Sequence, residues 1–326
     1  MNTQTENTKI VEVAAAVLQR PDGSFLLAQR PPDKIWAGYW EFPGGKIESG
    51  ETPYHALSRE LREELGIEVE TAYPWITRVF TYPHATVRLN FFRVTAWHGE
   101  LHPHEGQAFA WQINPPQLPF AKKGGRHGVI PILPANAPAL RALELPSLYA
   151  ISNVQELGEE EFMQRLETAL RKGLRLVQLR EKHLSRDELR ALALRVMKLA
   201  HAHGARVLLN ADVELAQEVG ADGVQLTAAQ LAGLHERPAV DWCAASCHNA
   251  AELRRAEALG CDFAVLSPVL PTQSHPGAPH LGWKNFSAIA AGSSIPVYAL
   301  GGLTRNEMQT AWRHGAHGIS LLRQAW

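Results

Sequence analysis

The sequence predicts a two-domain α/β protein, in which a smaller N-terminal domain of short strands around one helix precedes a (β/α)8, or TIM, barrel. Three observations carry this expectation. At 326 residues the chain exceeds one ordinary domain and suits two, each with its own core. Up to Trp111 its apolar residues alternate in short runs, whereas from Leu148 strand-like runs alternate strictly with helical ones. Between them lies the proline-rich QINPPQLPFAKKGGRHGVIPILPANAPALRALELP, whose composition marks a joint. The expected divisions are 1–140, a linker at 141–147, and 148–326.

In the first part, alternation predicts strands over Ile10–Leu18, Ser24–Gln29, Trp75–Tyr82 and Thr86–Ala96. Leu57, Leu61 and Leu65 recur every four positions and predict a helix over Thr52–Leu65, which Gly66 can end in the left-handed conformation. In the second part LYAIS, LRLVQLR, ARVLLN, DGVQL, WCAAS, DFAVLS, IPVYAL and HGISLL read as strands. Gly158–Arg171, Arg186–His203 and Ala250–Leu259 read as helices between them, and the chain reaches Trp326 without a full closing helix.

The predicted helix also carries a charge pattern. Glu60, Glu63 and Glu64 share a face at i, i+3 and i+4, where like charges repel by roughly 0.2–0.5 kcal/mol per pair. A hard divalent cation, Mg2+ or Mn2+, among the carboxylates would relieve the repulsion. Taken alone, RELREEL reads first as a solvated face on which Arg59 and Arg62 pair with the glutamates. Gly44 and Gly45 allow close approach to the backbone, and Arg59 is placed to hold a carboxylate such as Glu51 by a forked contact.

From Gly45 to Ile67, GKIESGETPYHALSRELREELGI satisfies every fixed position of G-x5-E-x7-R-E-U-x-E-E-x-G-U, with U aliphatic, and so resembles the Nudix box. WEFPGGKIESGETP, with AQR before it and HEGQ after it, resembles the MutT branch of that family, which hydrolyses 8-oxo-dGTP to 8-oxo-dGMP and pyrophosphate. The resemblance implies an α/β/α sandwich with a mixed sheet. It also implies metal binding by Glu60, Glu63, Glu64, Glu105 and the Gly45 carbonyl, with proton transfer among the same carboxylates supported by Arg59 and Glu51. It assigns the oxidised base to Arg30, Phe42 and Asn136, and the rest of a nucleoside triphosphate to Gly44, Gly45 and Lys46. Each base-site residue has a plain alternative: Arg30 a surface charge, Phe42 core, Asn136 a turn beside prolines. An insertion from Ala121 to Pro131 precedes Asn136.

VQLREK, LLN, GADGVQL, ASCHNAAEL, SPVLPTQSHPG, ALGG and GAHGIS resemble thiamin phosphate synthase and the thiazole tautomerase TenI, at or just after predicted strand ends. This implies a thiazole or pyrimidine phosphate ligand held by Gln178, Arg180, Lys182 and Asn210 and by phosphate-binding turns at Gly301, Gly302 and 318–321. Where the synthase has Mg2+ and pyrophosphate carboxylates, this chain has Ala211 and Gln230, with Asp212 one place along, and its lysine position is His275. His248 matches the TenI proton shuttle; capping the next helix is the alternative role, and a purely binding barrel a third reading.

Composition excludes other classes. A hydrophobic fraction of 45% and a net charge of -1 describe a globular protein without a basic field for nucleic acid. Cys243, Cys247 and Cys261 are too few and too badly spaced for a zinc or disulfide framework and read as small buried residues. MNTQTENTKI lacks the regions of a signal peptide and no apolar run approaches a membrane span, so the expected location is cytoplasmic. Lys122–His127 lacks the flanking strand and helix of a phosphate loop and reads as an exposed insertion.

Overall fold

In the N-terminal part, strands β1 (Ile10–Leu18) and β6 (Ala85–His98) pair in parallel at the centre of a four-stranded sheet of order β4-β1-β6-β5, where β4 is Gly44–Lys46 and β5 is Glu68–Tyr82. The outer pairs are antiparallel, so the sheet is mixed as expected. A second sheet, of order β3-β2-β7, joins β2 (Phe25–Gln29) to β3 (Trp40–Glu41) and β7 (Phe109–Gln112). The computed structural model describes residues 10–113, 128–273, 277 and 279–326; Lys122–His127, most of the insertion and His275 lie outside them.

Helix α1 (Pro53–Leu65) starts where the sequence provides a cap: Thr52 accepts the His55 backbone N–H, and Pro53 fills the first turn without needing a partner. Gly66 ends it at φ 69°. Leu57, Leu61 and Leu65 are fully buried against Ala14, Ala16, Leu18, Leu26, Phe92 and Val94. Each such side chain contributes roughly 1.5–3 kcal/mol, and together they fix the height at which the adjoining, acidic face meets the sheet edge.

The strands of the 68–98 hairpin are longer than alternation predicts. Register shifts between Val69 and Thr71, Thr71 and Ala72, and Pro74 and Thr77 interrupt the period, so only the regular stretch from Trp75 was readable. Strands β3, β4 and β7, of 2, 3 and 4 residues, are too short for any period to register.

Residues 142–326 form a separate compact unit. Its strands β8 (Leu148–Ile151), β9 (Leu176–Leu179), β10 (Arg206–Asn210), β11 (Gly223–Leu226), β12 (Trp242–Cys247), β13 (Phe263–Leu266), β14 (Val297–Leu300) and β15 (Gly318–Leu321) are all parallel. They close into a barrel through pairing of β15 with β8. Tyr149, Leu176, Leu208, Trp242, Phe263 and Tyr298 fill its interior, while a second apolar layer lies under the helices. A helix over Ala137–Leu143 runs through the start of the expected joint. After β15 only a single 3-10 turn, Arg323–Ala325, follows.

The two halves of the candidate site

The acidic face of α1 lies against the Gly44–Gly45 turn. A Cβ added to Gly44, at φ 139°, would stand 2.1 Å from the Ala14 carbonyl, and one added to Gly45 would stand 2.2 Å from the Glu60 carboxyl carbon. Gly44 could carry no side chain without meeting the β1 backbone, and the bare Gly45 lets the Glu60 carboxylate lie directly over it. The Gly44 backbone N–H donates to Glu64 Oε2 at 3.1 Å. Burial pushes the Glu64 carboxyl up to about 8 despite that hydrogen bond, with the charges of Glu60, Glu105 and Glu41 acting in the same direction. Glu60 is also raised, by burial first, against the pull of Arg59.

Arg59 organises the rest. Its Nε and Nη2 donate to the two Glu51 oxygens at 2.9 and 3.0 Å, the forked contact expected from the sequence. Nη2 also reaches the Lys46 carbonyl at 3.0 Å, and Nη1 reaches Glu60 at 2.9 Å and Glu63 at 3.2 Å. The guanidinium holds the Glu51 carboxyl down to about 2. Glu105 lies on an exposed loop tied to the helix by Gln107, which accepts the Glu105 N–H and donates to the Glu64 carbonyl at 3.2 Å. Gln107 was not anticipated; its place two residues after Glu105 in HEGQ was the available signal.

The expected ligand set is thus gathered along one edge without converging. Among the described residues no three His, Cys, Asp or Glu side chains surround one point, and Glu60 and Glu63 both pair with Arg59. In kind the donors fit a hard divalent cation: carboxylate oxygens, two of them already disfavouring their own charge, beside an open glycine backbone.

Beyond the turn, Asn136 sits in a 3-10 turn, 2% exposed, and its Oδ1 accepts the Phe42 backbone N–H at 3.3 Å. The Phe42 ring packs between Phe25 and Phe91 with centroids 6.0 and 5.7 Å away, so the ring is core, the plain alternative for this position. Arg30 donates to Glu41 at 2.5 Å and to the Ile35 carbonyl at 2.8 Å. Sequence reasoning missed Glu41, although it stands in the quoted WEFPGG; burial raises its carboxyl against the opposing pull of Arg30.

In the barrel, Gln178, Arg180, Lys182, Asn210, His248, Gly301 and Gly302 line one cavity of about 640 Å³ at the C-terminal ends of the strands. Its floor is a buried chain in which Gln178 donates to Tyr149, Tyr149 to Gln225, and Gln225 to Ser246, at 3.2, 3.2 and 3.1 Å. The His248 Nδ1 lies 3.0 Å from Glu252 Oε2, which also accepts the His248 N–H, while Asn249 caps the helix through the Glu252 N–H. His248 therefore lines the cavity and joins the cap as well. Asp212 caps its own helix by accepting the Leu215 N–H. Gln230 forms a capping box with Thr227 and donates to the Ala211 carbonyl at 2.6 Å. A Mg2+–diphosphate pair does not fit there: one position offers a methyl group and the other an amide already engaged. The three cysteines are buried and unbridged, with Cys243 and Cys261 Sγ 3.9 Å apart.

A carboxylate-rich edge beside a glycine turn, and in the same chain a barrel whose mouth is lined by cations and glycine turns, mark a two-domain α/β enzyme. Residues 148–325 match the family model described as thiamine monophosphate synthase, and residues 14–123 match a NUDIX domain. The chain belongs to the thiamine monophosphate synthase family through its barrel and carries a Nudix pyrophosphohydrolase domain ahead of it. It is 39% identical over 180 residues to a putative thiamine-phosphate synthase 2 of Aquifex aeolicus (55% of this chain, 96% of that one). It is also 40% identical over 134 residues to the CTP pyrophosphohydrolase of Escherichia coli (41% and 91%). With the 8-oxo-dGTP diphosphatase of Proteus vulgaris it shares 42% over 98 residues (30% and 88%). No helix among the described residues is long and apolar enough to cross a membrane.

Proposed function

We propose that the N-terminal domain hydrolyses 8-oxo-dGTP to 8-oxo-dGMP and pyrophosphate, removing a mutagenic nucleotide before DNA synthesis. The observation that carries this reading is the buried Asn136 amide, fixed at Phe42 two residues from the Gly44 turn and next in sequence to the Arg30–Glu41 pair. A buried amide penalises a base lacking the matching donors and acceptors. Mg2+, or Mn2+ in its place, supplies charge neutralisation of the polyphosphate and activation of the attacking water. Glu60, Glu63, Glu64, Glu105 and the Gly45 carbonyl would hold it. Arg59 and Glu51 orient Glu60 beside the turn, Gly44, Gly45 and Lys46 face the phosphates, and a carboxylate of the cluster takes the proton from water.

A second reading takes a pyrimidine nucleotide such as CTP as the substrate, supported by the relative that hydrolyses it. In a third, the Nudix domain cleaves a thiamin-pathway diphosphate and the barrel, with His248 as proton shuttle, takes a thiazole or pyrimidine phosphate; the cavity lining supports that ligand class, as it does a barrel that only binds. The test is kcat/KM with Mg2+ on 8-oxo-dGTP, dGTP, CTP and thiamin-pathway diphosphates, with products identified. Preference for 8-oxo-dGTP is expected; preference for either other class would replace the substrate and keep the chemistry.

A further inference from the structure

Tyr82, at the end of β5, is 8% exposed, and its hydroxyl oxygen is buried without a hydrogen-bond partner among the described residues. That is an expensive arrangement for a group able both to donate and to accept. The ring is held firmly: Phe80 lies 4.6 Å away, His84 stacks on it at 5.5 Å, and Trp36 covers it at 5.9 Å. Trp36 itself takes φ 65°, a conformation that bulky side chains rarely adopt, within the turn that Arg30 pins through Ile35. The ring adjoins the proposed base site: β5 packs on the Pro134–Asn136 turn, and Trp36 joins the ring to the turn pinned by Arg30. Burial raises the phenol, the Ala135 backbone next to Asn136 bears on it without the geometry of a hydrogen bond, and Glu41 and Arg30 act on it through their charges.

We infer that Tyr82 is a specificity-determining residue of the Nudix site, its hydroxyl hydrogen-bonding a polar edge atom of the substrate's nucleobase beside Asn136. The inference rests on the nucleotide reading above and deepens it. An aromatic wall alone would accept any base; a fixed, otherwise unpaired hydroxyl favours bases that place a carbonyl or N–H against it and rejects those that do not.

The test is Tyr82→Phe in the full chain, which keeps the ring and removes only the hydroxyl. Its kcat/KM is measured with Mg2+ on 8-oxo-dGTP, dGTP, CTP and dATP, alongside its thermal midpoint. The expected result is a loss of about 5- to 20-fold on the preferred nucleotide, a change under about twofold on the poorest, and a midpoint equal to or above that of the parent. Unchanged kcat/KM on every base, an equal loss on all of them, or a lowered midpoint would overturn the inference in favour of a packing role. A parent protein inactive on all four would instead remove the nucleotide reading, and this inference with it.

Discussion

Asn136 accepts the backbone N–H of Phe42 from 94 residues away in sequence, at 3.3 Å and out of contact with solvent. The pair ties the segment after the last strand of the N-terminal part to the start of the glycine turn. Removing the acceptor in Asn136→Ala strands a buried N–H, at a cost of about 1–3 kcal/mol. Urea unfolding should show that loss, and the proposed preference for 8-oxo-dGTP over dGTP should collapse. A variant with parental stability and unchanged preference would detach Asn136 from both roles.

Arg59 holds Glu51 with two parallel hydrogen bonds and Glu60 with a third. Lysine keeps the charge but not the fork, so Arg59→Lys should lower kcat by about 10- to 100-fold with a smaller change in KM. Glu60→Gln, on the same face, should abolish turnover with little change in unfolding free energy. Steady-state kinetics and unfolding curves on both variants check this.

The Glu64 carboxyl, held up at about 8 against an ordinary value of 4.5, makes the chelator-treated protein less stable as the pH rises between those two values. Because the folded state keeps the proton more tightly than the unfolded chain, this group costs no stability below about pH 4.5. The cost grows as pH rises to about 8 and is complete above it. At pH 7 it amounts to roughly 3 kcal/mol at most. Thermal midpoints in chelator should fall across that window, and the fall should shrink in Glu64→Gln and on adding Mg2+.

Gln225 links Tyr149 to Ser246 in the barrel floor with no exposure to solvent. Gln225→Leu leaves both hydroxyls short of a partner and should cost about 2 kcal/mol. Adding Tyr149→Phe removes one of these hydroxyls but takes the acceptor from the buried Gln178 amide, so the double variant should lose less than the two single variants combined. A double-variant loss equal to the sum of the two single-variant losses, measured by denaturant unfolding, would show that the chain of hydrogen bonds carries no such coupling.

Much of this was legible because local signals agreed. The leucine period, Thr52 and Gly66 marked α1 to within one residue, and the spacing of Glu51 from Arg59 foretold their contact. The barrel strands were legible because their apolar runs are separated by helices. What stayed hidden depended on residues meeting across the fold. Nothing near Glu41 in sequence says that Arg30 will pair with it, and nothing near Tyr82 says that its hydroxyl will lack a partner. Trp40–Glu41 and Gly44–Lys46 escaped detection because their partners, rather than their own pattern, make them strands.

The Gln230 side chain, closed onto the Ala211 carbonyl, has a practical corollary. A phosphate-bearing ligand entering the barrel cavity meets Arg180, Lys182 and the glycine turns directly, so its titration should be indifferent to EDTA, whereas the carboxylate edge of the other domain should fall silent. One chelator would then dissect the chain functionally, without cutting it.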